Sequence, residues 1–200
     1  AGEIVDLPTF DKTTAQLRKT RQISSSQKRD RLPTFDELES LTKYFVRKWN
    51  HSSYSYPMHL IMWFAIFSCR REAEITRMQL DDYDETNKLW KIRDLKNPNG
   101  SKGNHKEFSV HDDCQQMIDL LLDGDIRHRM LKRGYDENLL VPLSPKTMGS
   151  EFRKACKLLG IDDLHFHDLR HEGCTRLAEK GMTIPQIQQV SLHDSWSSLE

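Results

Sequence analysis

The sequence predicts an α+β fold that is mainly helical and carries one small three-stranded antiparallel sheet. Segments with apolar residues at helical spacing lie on both sides of a central region. That central region, 80–110, instead contains three short runs typical of strands, and turn residues separate them. Two hundred residues are enough for one domain with its own core.

The first two helices are predicted from a capping pattern and from an apolar run. The Thr34-x-x-Glu37 spacing is typical of a capping box, and apolar residues then recur at helical spacing as far as Val46. A second helix is expected over 58–67. This run is too short to span a bilayer and is followed by two arginines, so no membrane segment is expected.

Strands are expected at 80–83, 88–94 and 106–110, with a turn at 84–87 and a longer turn at 97–101. Three successive strands with short connections favour an antiparallel meander. Helices then return, and glycines that are typical of helix ends close three of them. The expected ranges are 114–122, 126–133 before Gly134, 144–159 before Gly160, 167–180 before Gly181, and 183–190.

Residues 1–32 are predicted to be a basic, poorly structured interdomain linker, and 33–200 to be the folded domain. The stretch 12–31 contains seven lysines and arginines against Asp30 alone. The net charge of the whole chain is zero, so composition alone does not indicate nucleic acid, and the local charge matters more. Four cysteines without a C-x-x-C pair favour reduced thiols in a cytosolic protein.

Two arginines and two histidines are candidates for binding one phosphate. Arg170 offers a planar fork that binds two oxygens at once, and His167, three residues before it, shares its helix face. Arg71 is followed three residues later by Glu74, which could hold the guanidinium in place; an ordinary surface ion pair is the alternative. His193 lies near the end of the chain.

Lysines of the predicted hairpin are candidates for a proton donor. Lys96 lies at the end of a strand, where it could reach a DNA groove, and Lys102 and Lys106 compete for the same role. Solubilising loop charge is the alternative for each lysine. A different alternative is a zinc-binding helical module, for which the candidate ligands are His165, His167, His171 and Cys174.

In this order and spacing, the motifs resemble the catalytic domain of the tyrosine recombinases, the phage integrase family. S-C-R-R-E-A-E-I at 68–75 resembles the T-G-x-R-x-x-E-[IL] box of the family, and H-D-L-R-H at 167–171 matches its H-x-L-R-H signature. Lys96 occupies the place of the family's hairpin lysine, and Ser191-Leu192-His193 resembles its L-G-H box. The resemblance covers about 33–200.

The resemblance implies a role for each of these residues. Arg71 and Arg170 would bind the nonbridging oxygens of a scissile DNA phosphate, with Glu74 in support. His167 and His193 would hydrogen-bond the same phosphate, and Lys96 would be the general acid. Arg70, Lys102 and Lys106 would contact DNA. No cofactor and no metal are implied, since the arginines supply the positive charge.

The partners implied are double-stranded DNA and further recombinase protomers, which form a tetramer on DNA, with no membrane. The expected location is the bacterial cytoplasm, in association with the nucleoid. Two alternatives stay open: a non-catalytic DNA-binding or regulatory protein on the same fold, and an enzyme similar to type IB topoisomerases.

The sequence departs from the family pattern in two places. Ser191-Leu192 replaces the usual Leu-Gly, so a different local backbone is expected before His193. The family's nucleophilic tyrosine follows this histidine by about nine residues, which is just after Glu200. All five tyrosines of the sequence precede His167. The sequence therefore predicts a domain that ends before its nucleophile, binds DNA and forms no covalent adduct.

Overall fold

The computed structural model describes residues 31–51, 53–96, 101–132 and 136–193. Most of the predicted linker, 1–30, lies outside the described residues, as do the turn residues 97–100 and Gly134. At the beginning of the described part, Arg31 forms an ion pair with Glu37. Among the described residues, no helix is long and apolar enough to cross a membrane.

Helix α1 spans Phe35–Trp49 and begins at the predicted capping box. The Thr34 hydroxyl accepts from the backbone N–H of Glu37 at 3.2 Å, and the Glu37 carboxylate accepts from the backbone N–H of Thr34 at 2.7 Å. These two bonds satisfy N–H groups that have no partner within the helix. The predicted start of α1 is therefore confirmed.

Helix α2 spans Met58–Ser68 and is the centre of the core. It is apolar on all sides, as expected for a helix that neighbouring elements surround. It packs against α1 and against two later helices, α4 (Asp112–Leu122) and α7 (Asp168–Glu179). Its C-cap is Cys69, and the four-residue helix α3 (Glu72–Ile75), which the sequence did not predict, follows.

The sheet is the predicted three-stranded antiparallel meander, with strand order β1-β2-β3. Its strands are β1 (Tyr83–Asp84), β2 (Leu89–Ile92) and β3 (Lys106–Ser109). The expected strand at 80–83 is wrong for its first three residues, which form a 3₁₀-helix, Leu80–Asp82. The N–H of Leu80 donates to the carbonyl of Asn138 instead of a neighbouring strand.

The remaining helices are α5 (Gly124–Leu131), α6 (Pro145–Leu159) and α8 (Ile184–Ser191). Helices α4 to α8 lie where the sequence predicts them, with ends that shift by one or two residues. Helix α5 begins two residues early because the Asp123 carboxylate accepts from two backbone N–H groups of its first turn. Helix α6 ends at Gly160, which is left-handed as predicted.

A small apolar cluster joins the end of α2 to α7 and α8. It contains Cys69, Leu177, Ile187 and Val190, with Cys174 packed against it. Helix α7 approaches α2 closely at Gly173, where an added Cβ would lie 2.0 Å from the carbonyl oxygen of Ile66. This contact packs the middle of α7 against the end of α2.

Replacing Gly173 with alanine is expected to lower the free energy of unfolding by about 2 kcal/mol or more, because the new methyl group must push backbone apart. Urea unfolding measures the difference. The matched control is Gly124→Ala at the first position of α5, where an added Cβ meets no atom within 4 Å. Equal stability of the two variants would contradict the close packing of α2 and α7.

Candidate functional site

Glu74 is the centre of an arginine cluster that Arg70, Arg71 and Arg170 form around it. Its carboxylate is only 2% exposed and belongs to α3. One carboxylate oxygen lies 2.7 Å from Nη1 of Arg71. The other lies 3.4 Å from Nη1 of Arg70 and 4.0 Å from Nη1 of Arg170. Three positive charges therefore surround one buried negative charge.

The arginine cluster keeps Glu74 ionised. Burial alone would raise the pKa of this carboxyl, but the three guanidinium charges, Arg70 foremost, hold its pKa below the ordinary value. The backbone N–H of Arg71 also donates to Glu74, at 3.3 Å. The carboxylate therefore fixes both the side chain and the backbone of Arg71.

Arg71 is the member of the cluster that solvent reaches. Its side chain is 33% exposed, whereas those of Arg70 and Arg170 are at most 1% exposed. It lines a cavity of about 340 Å³, which we call the site cavity. Other residues that line it include Glu72, Gly149, Arg153, His165 and His167.

Arg170 lies in the first turn of α7 and is bound by groups from two other segments. Its Nη1 donates to the carbonyl of Cys69, and its Nε donates to Nε2 of His193 at 3.3 Å. Its Nη2 is buried without a hydrogen-bond partner among the described residues. Burial, followed by the positive charges of the other two arginines, lowers the pKa of Arg170 to about 9.

His193 follows the C-cap of α8 and is oriented by Ser191. Its Nδ1 lies 2.8 Å from the Ser191 hydroxyl. Because Nε2 accepts from Arg170, the proton of the neutral ring is on Nδ1 and is donated to Ser191. Burial lowers the pKa of His193, so the neutral ring is the main form at neutral pH.

His167 is the N-cap of α7 and lines the site cavity beside Arg71. Its ring lies 5.3 Å from that of His171, measured between centroids. The pKa of His167 is lowered to about 4, by burial foremost and then by the charges of His171, Arg71 and Arg170. Asp168 fixes this turn, since its carboxylate accepts from the backbone N–H of His165 at 2.8 Å.

The hairpin lysines do not line the site cavity. Lys96 is exposed and lines a second, more open cavity of about 520 Å³. Ala73 of α3 lines both cavities, so the second cavity is adjacent to the first. Lys102 is exposed in the segment between β2 and β3, and Lys106 is the first residue of β3. Neither lysine lines either cavity.

Arg70, which is expected from the sequence to contact DNA, lies inside the protein in the free structure. Its side chain is fully buried, and its guanidinium lies 4.8 Å from the ring centroid of Phe108. Its Nε donates to the carbonyl of Ser68 at 2.9 Å, and its Nη2 donates to that of Val190. Arg70 therefore joins the end of α2 to α8 inside the protein.

The structure does not gather the four candidate zinc ligands. Within the described part of the chain, no group of three histidine, cysteine, aspartate or glutamate side chains is placed to hold a metal ion. Cys174 packs against the cluster that contains Cys69 instead of joining His167 and His171.

The expected change of backbone before His193 is not found in the described residues. Leu192 has φ +56°, the left-handed conformation that glycine adopts most easily. Cys69, at the glycine position of the T-G-x-R box, is likewise left-handed with φ +53°. Both residues keep the backbone that a glycine would favour, at a cost of about 1–2 kcal/mol each.

Three contributors to the site were not predicted from the sequence. The Cys69 carbonyl holds Arg170, the Ser191 hydroxyl orients His193, and Glu72 lines the site cavity. Only Ser191 was marked in the sequence, because it replaces the leucine of the family's L-G-H box. Backbone carbonyls leave no signal in a sequence.

Fold and site together define an α+β domain that brings arginines and histidines from three segments to one place. A model of the phage integrase family matches residues 32–200, which is most of the chain. The chain therefore belongs to the phage integrase family, and the predicted fold and family are confirmed.

Curated relatives share this region, among them a recombinase and a phage integrase. The chain is 26% identical over 184 residues to the shufflon-specific DNA recombinase of Escherichia coli. The aligned region covers 90% of this chain and 41% of that protein. The chain is 25% identical over 154 residues to the integrase of Salmonella phage P22, and that aligned region covers 72% of this chain and 37% of the integrase. The chain thus spans less than half the length of these relatives.

Solved structures share the fold at lower identity. A lambda integrase dimer bound to a COC′ core site matches with a TM-score of 0.66 at 20% identity, over 96% of this chain and 55% of that one. XerA recombinase matches with a TM-score of 0.61 at 19% identity, over 94% and 66% of the two chains. These likenesses support the fold alone.

Replacing Glu74 with glutamine is expected to lower the free energy of unfolding by about 3 kcal/mol, because it leaves three arginine charges without their buried partner. The control is Glu39→Gln on α1, whose exposed ion pair with Lys43 contributes less than about 1 kcal/mol. Urea unfolding at neutral pH compares the variants. Equal losses would contradict the role of Glu74.

Low pH should destabilise the protein by protonating the Glu74 carboxylate. Because the pKa of Glu74 is lower in the folded state, its stabilising contribution is complete above its ordinary pKa of 4.5 and is lost as pH falls through the folded-state value. We therefore expect the wild type to lose more stability than Glu74→Gln when the pH falls below 4.5. Parallel pH profiles of unfolding free energy would contradict this.

Proposed function

We propose that this chain supplies the catalytic domain of a site-specific DNA recombinase, which cleaves and rejoins strands through a 3′-phosphotyrosine intermediate. The observation that carries the proposal is the pairing of Arg71 with buried Glu74 beside a cavity that His167 also lines. A guanidinium held in this way is preorganised for a charge that develops on a phosphate. Family membership supports the same reaction class.

Arg71 would bind the nonbridging oxygens of the scissile phosphate from the site cavity. Only Nη1 of its guanidinium is bound to the Glu74 side chain, and a third of the side chain is exposed. Guanidinium donors form charge-assisted bonds with phosphate oxygens, and their planar arrangement fits two oxygens at once. The neighbouring His167 would donate a further hydrogen bond to the same phosphate.

Arg170 would add a second guanidinium through Nη2, which has no hydrogen-bond partner within the described part of the chain. Because this side chain is 1% exposed in the free protein, contact requires a small shift of the residues that cover it. The contact would satisfy a buried donor, which otherwise destabilises the folded protein. Phosphate binding would therefore remove an unfavourable feature of the free site.

The covalent step would begin with a tyrosine located beyond Glu200. Its oxygen would attack the phosphorus and form a new P–O bond, while the bond to the 5′ oxygen breaks. The neutral ring of His167 would take the proton of the nucleophile. Lys96 would give a proton to the leaving oxygen, with DNA lying across both cavities.

We infer that the partners are double-stranded DNA and further protomers of the same protein, assembled as a tetramer. The lambda integrase structures among the fold neighbours include a dimer on a core site and a tetramer on a Holliday junction. Exposed Lys102, together with Lys106 at the beginning of β3, would contact the DNA backbone beside the site. An enzyme with this activity would act in the bacterial cytoplasm, on nucleoid DNA.

A nicked suicide substrate tests the proposal, with a polypeptide that extends beyond Glu200. We expect a covalent protein–DNA adduct whose peptide contains a tyrosine shortly after His193. Arg71→Ala should slow adduct formation by about 10²–10³-fold, because one preorganised charge is lost. Gel quantification of the adduct measures both effects.

The control is Lys43→Ala on α1, which removes an exposed positive charge that is paired with Glu39. It should form the adduct at the wild-type rate. DNA binding without any adduct would favour the non-catalytic, regulatory alternative. Relaxation of supercoiled DNA without sequence preference would favour the topoisomerase alternative.

A further inference from the structure

Two cysteines that the proposed reaction does not use lie beside the arginine cluster. Cys69 is 0% exposed, and its Sγ lies 2.8 Å from the position that a Cβ on Gly173 would occupy. Gly173 is adjacent to Cys174 on α7, and both cysteines belong to the cluster that joins α2, α7 and α8. The missing side chain at Gly173 thus makes room for the Cys69 thiol against α7.

Cys174 shares a helix face with Arg170, which lies four residues earlier. Arg170 donates to the carbonyl of Cys69, so the same face of α7 contacts Cys69 through both residues. Cys174 is partly exposed, whereas Cys69, Cys114 and Cys156 are buried. Among the four thiols, a soluble reagent therefore reaches Cys174 first.

The electrostatic surroundings favour reaction at Cys174. Its interaction with the Cys69 thiol foremost, then its contact with His193 and the charge of Arg170, outweigh the effect of burial and lower the pKa of Cys174. Burial raises the pKa of Cys114 and that of Cys156, the latter to about 11. Thiolates are the reactive form, and oxidisable cysteines are typically accessible, of low pKa and next to a second cysteine.

We propose that Cys174 is an oxidisable thiol and Cys69 its resolving partner, and that the disulfide between them reversibly disables the phosphate-binding site. The oxidant belongs to the peroxide class, and a dithiol reductant reverses the change. The thiol chemistry stands independently of the proposed function, whereas the effect on DNA rests on it.

The reaction with hydrogen peroxide balances in two steps. The Cys174 thiolate attacks one peroxide oxygen, the O–O bond breaks, and the departing hydroxide takes a proton to become water. The resulting sulfenic acid is then attacked by the Cys69 sulfur. The S–S bond forms, the S–O bond breaks, and hydroxide leaves with the Cys69 proton as a second water. Two thiols lose two electrons, and the peroxide gains them.

The disulfide would act on the site through two contacts. Cys174 would lose its interaction with His193, the ring that accepts from Arg170. Cys69, whose carbonyl holds Arg170 and which lies two residues before Arg71, would be tied to α7. Both changes alter the position of groups that would bind the phosphate, so oxidation should weaken DNA binding.

The chemical test treats the purified protein with hydrogen peroxide and maps disulfides by peptide mass spectrometry. We expect one intramolecular disulfide, Cys69–Cys174, which dithiothreitol reverses. Cys69→Ser should instead accumulate sulfenic acid at Cys174, trapped by dimedone, and Cys174→Ser should form neither product. Cys156→Ser should respond as the wild type does. Failure of the disulfide to form would overturn the proposal, whatever the protein does with DNA.

The functional test compares the affinity of each protein for duplex DNA before and after peroxide. We expect about a tenfold loss for the wild type and for Cys156→Ser, restored by dithiothreitol, within the usual range for coupled sites. Cys174→Ser should show no change on peroxide treatment. An oxidised wild type that binds as tightly as the reduced protein would overturn the switch. A reduced protein that does not bind DNA would overturn the proposed function and leave the thiol chemistry standing.

Discussion

The structure depends on one buried carboxylate. Glu74 bonds to Arg71, lies within ion-pair distance of Arg70 and Arg170, and belongs to a helix of only four residues. Removing two or three ions from water costs several kcal/mol each, and mutual attraction offsets this cost only where geometry and hydrogen bonds are good. The carbonyls of Ser68, Cys69 and Val190 supply those additional bonds.

The cluster has an excess of positive charge, and in the proposed function this excess would let a structural feature bind a phosphate. One carboxylate cannot neutralise three guanidiniums, and Arg170 Nη2 stays without a partner among the described residues. A bound phosphate would supply both the missing charge and the missing acceptor. The buried Arg70 holds α2 and α8 together, while the partly exposed Arg71 faces the site cavity. Neighbouring arginines thus have different roles.

Sequence patterns within a few residues of each other predicted most of the fold. The capping box at Thr34 and the left-handed Gly160 depend on bonds within a few residues, so the sequence predicts them well. The 3₁₀-helix Leu80–Asp82 was missed because a distant partner, the Asn138 carbonyl, determines it. Helix α3 was missed because four residues are too few to show a period.

The motifs predict which residues form the candidate site, but not how deeply each of them is buried. Motif spacing identified Arg71, Glu74, His167, Arg170 and His193, and the structure brings them near one another. The sequence did not show that Arg70 is buried and Arg71 partly exposed, since exposure depends on what α8 and Phe108 cover. The contact between Cys69 and α7 joins residues about a hundred positions apart, which no local pattern reveals.

In the proposed function, Glu74 would present Arg71 and Arg170 to a phosphate while Arg70 stays structural. Nitrogen-15 NMR of the arginine Nε–H groups, recorded during titration with a short DNA duplex, tests it directly. The signals of Arg71 and Arg170 should shift as DNA is added, and the Arg70 signal should stay unchanged. Shifts at Arg70 as large as those at Arg71, or unchanged signals of Arg71 and Arg170 in a DNA-bound protein, would contradict the claim.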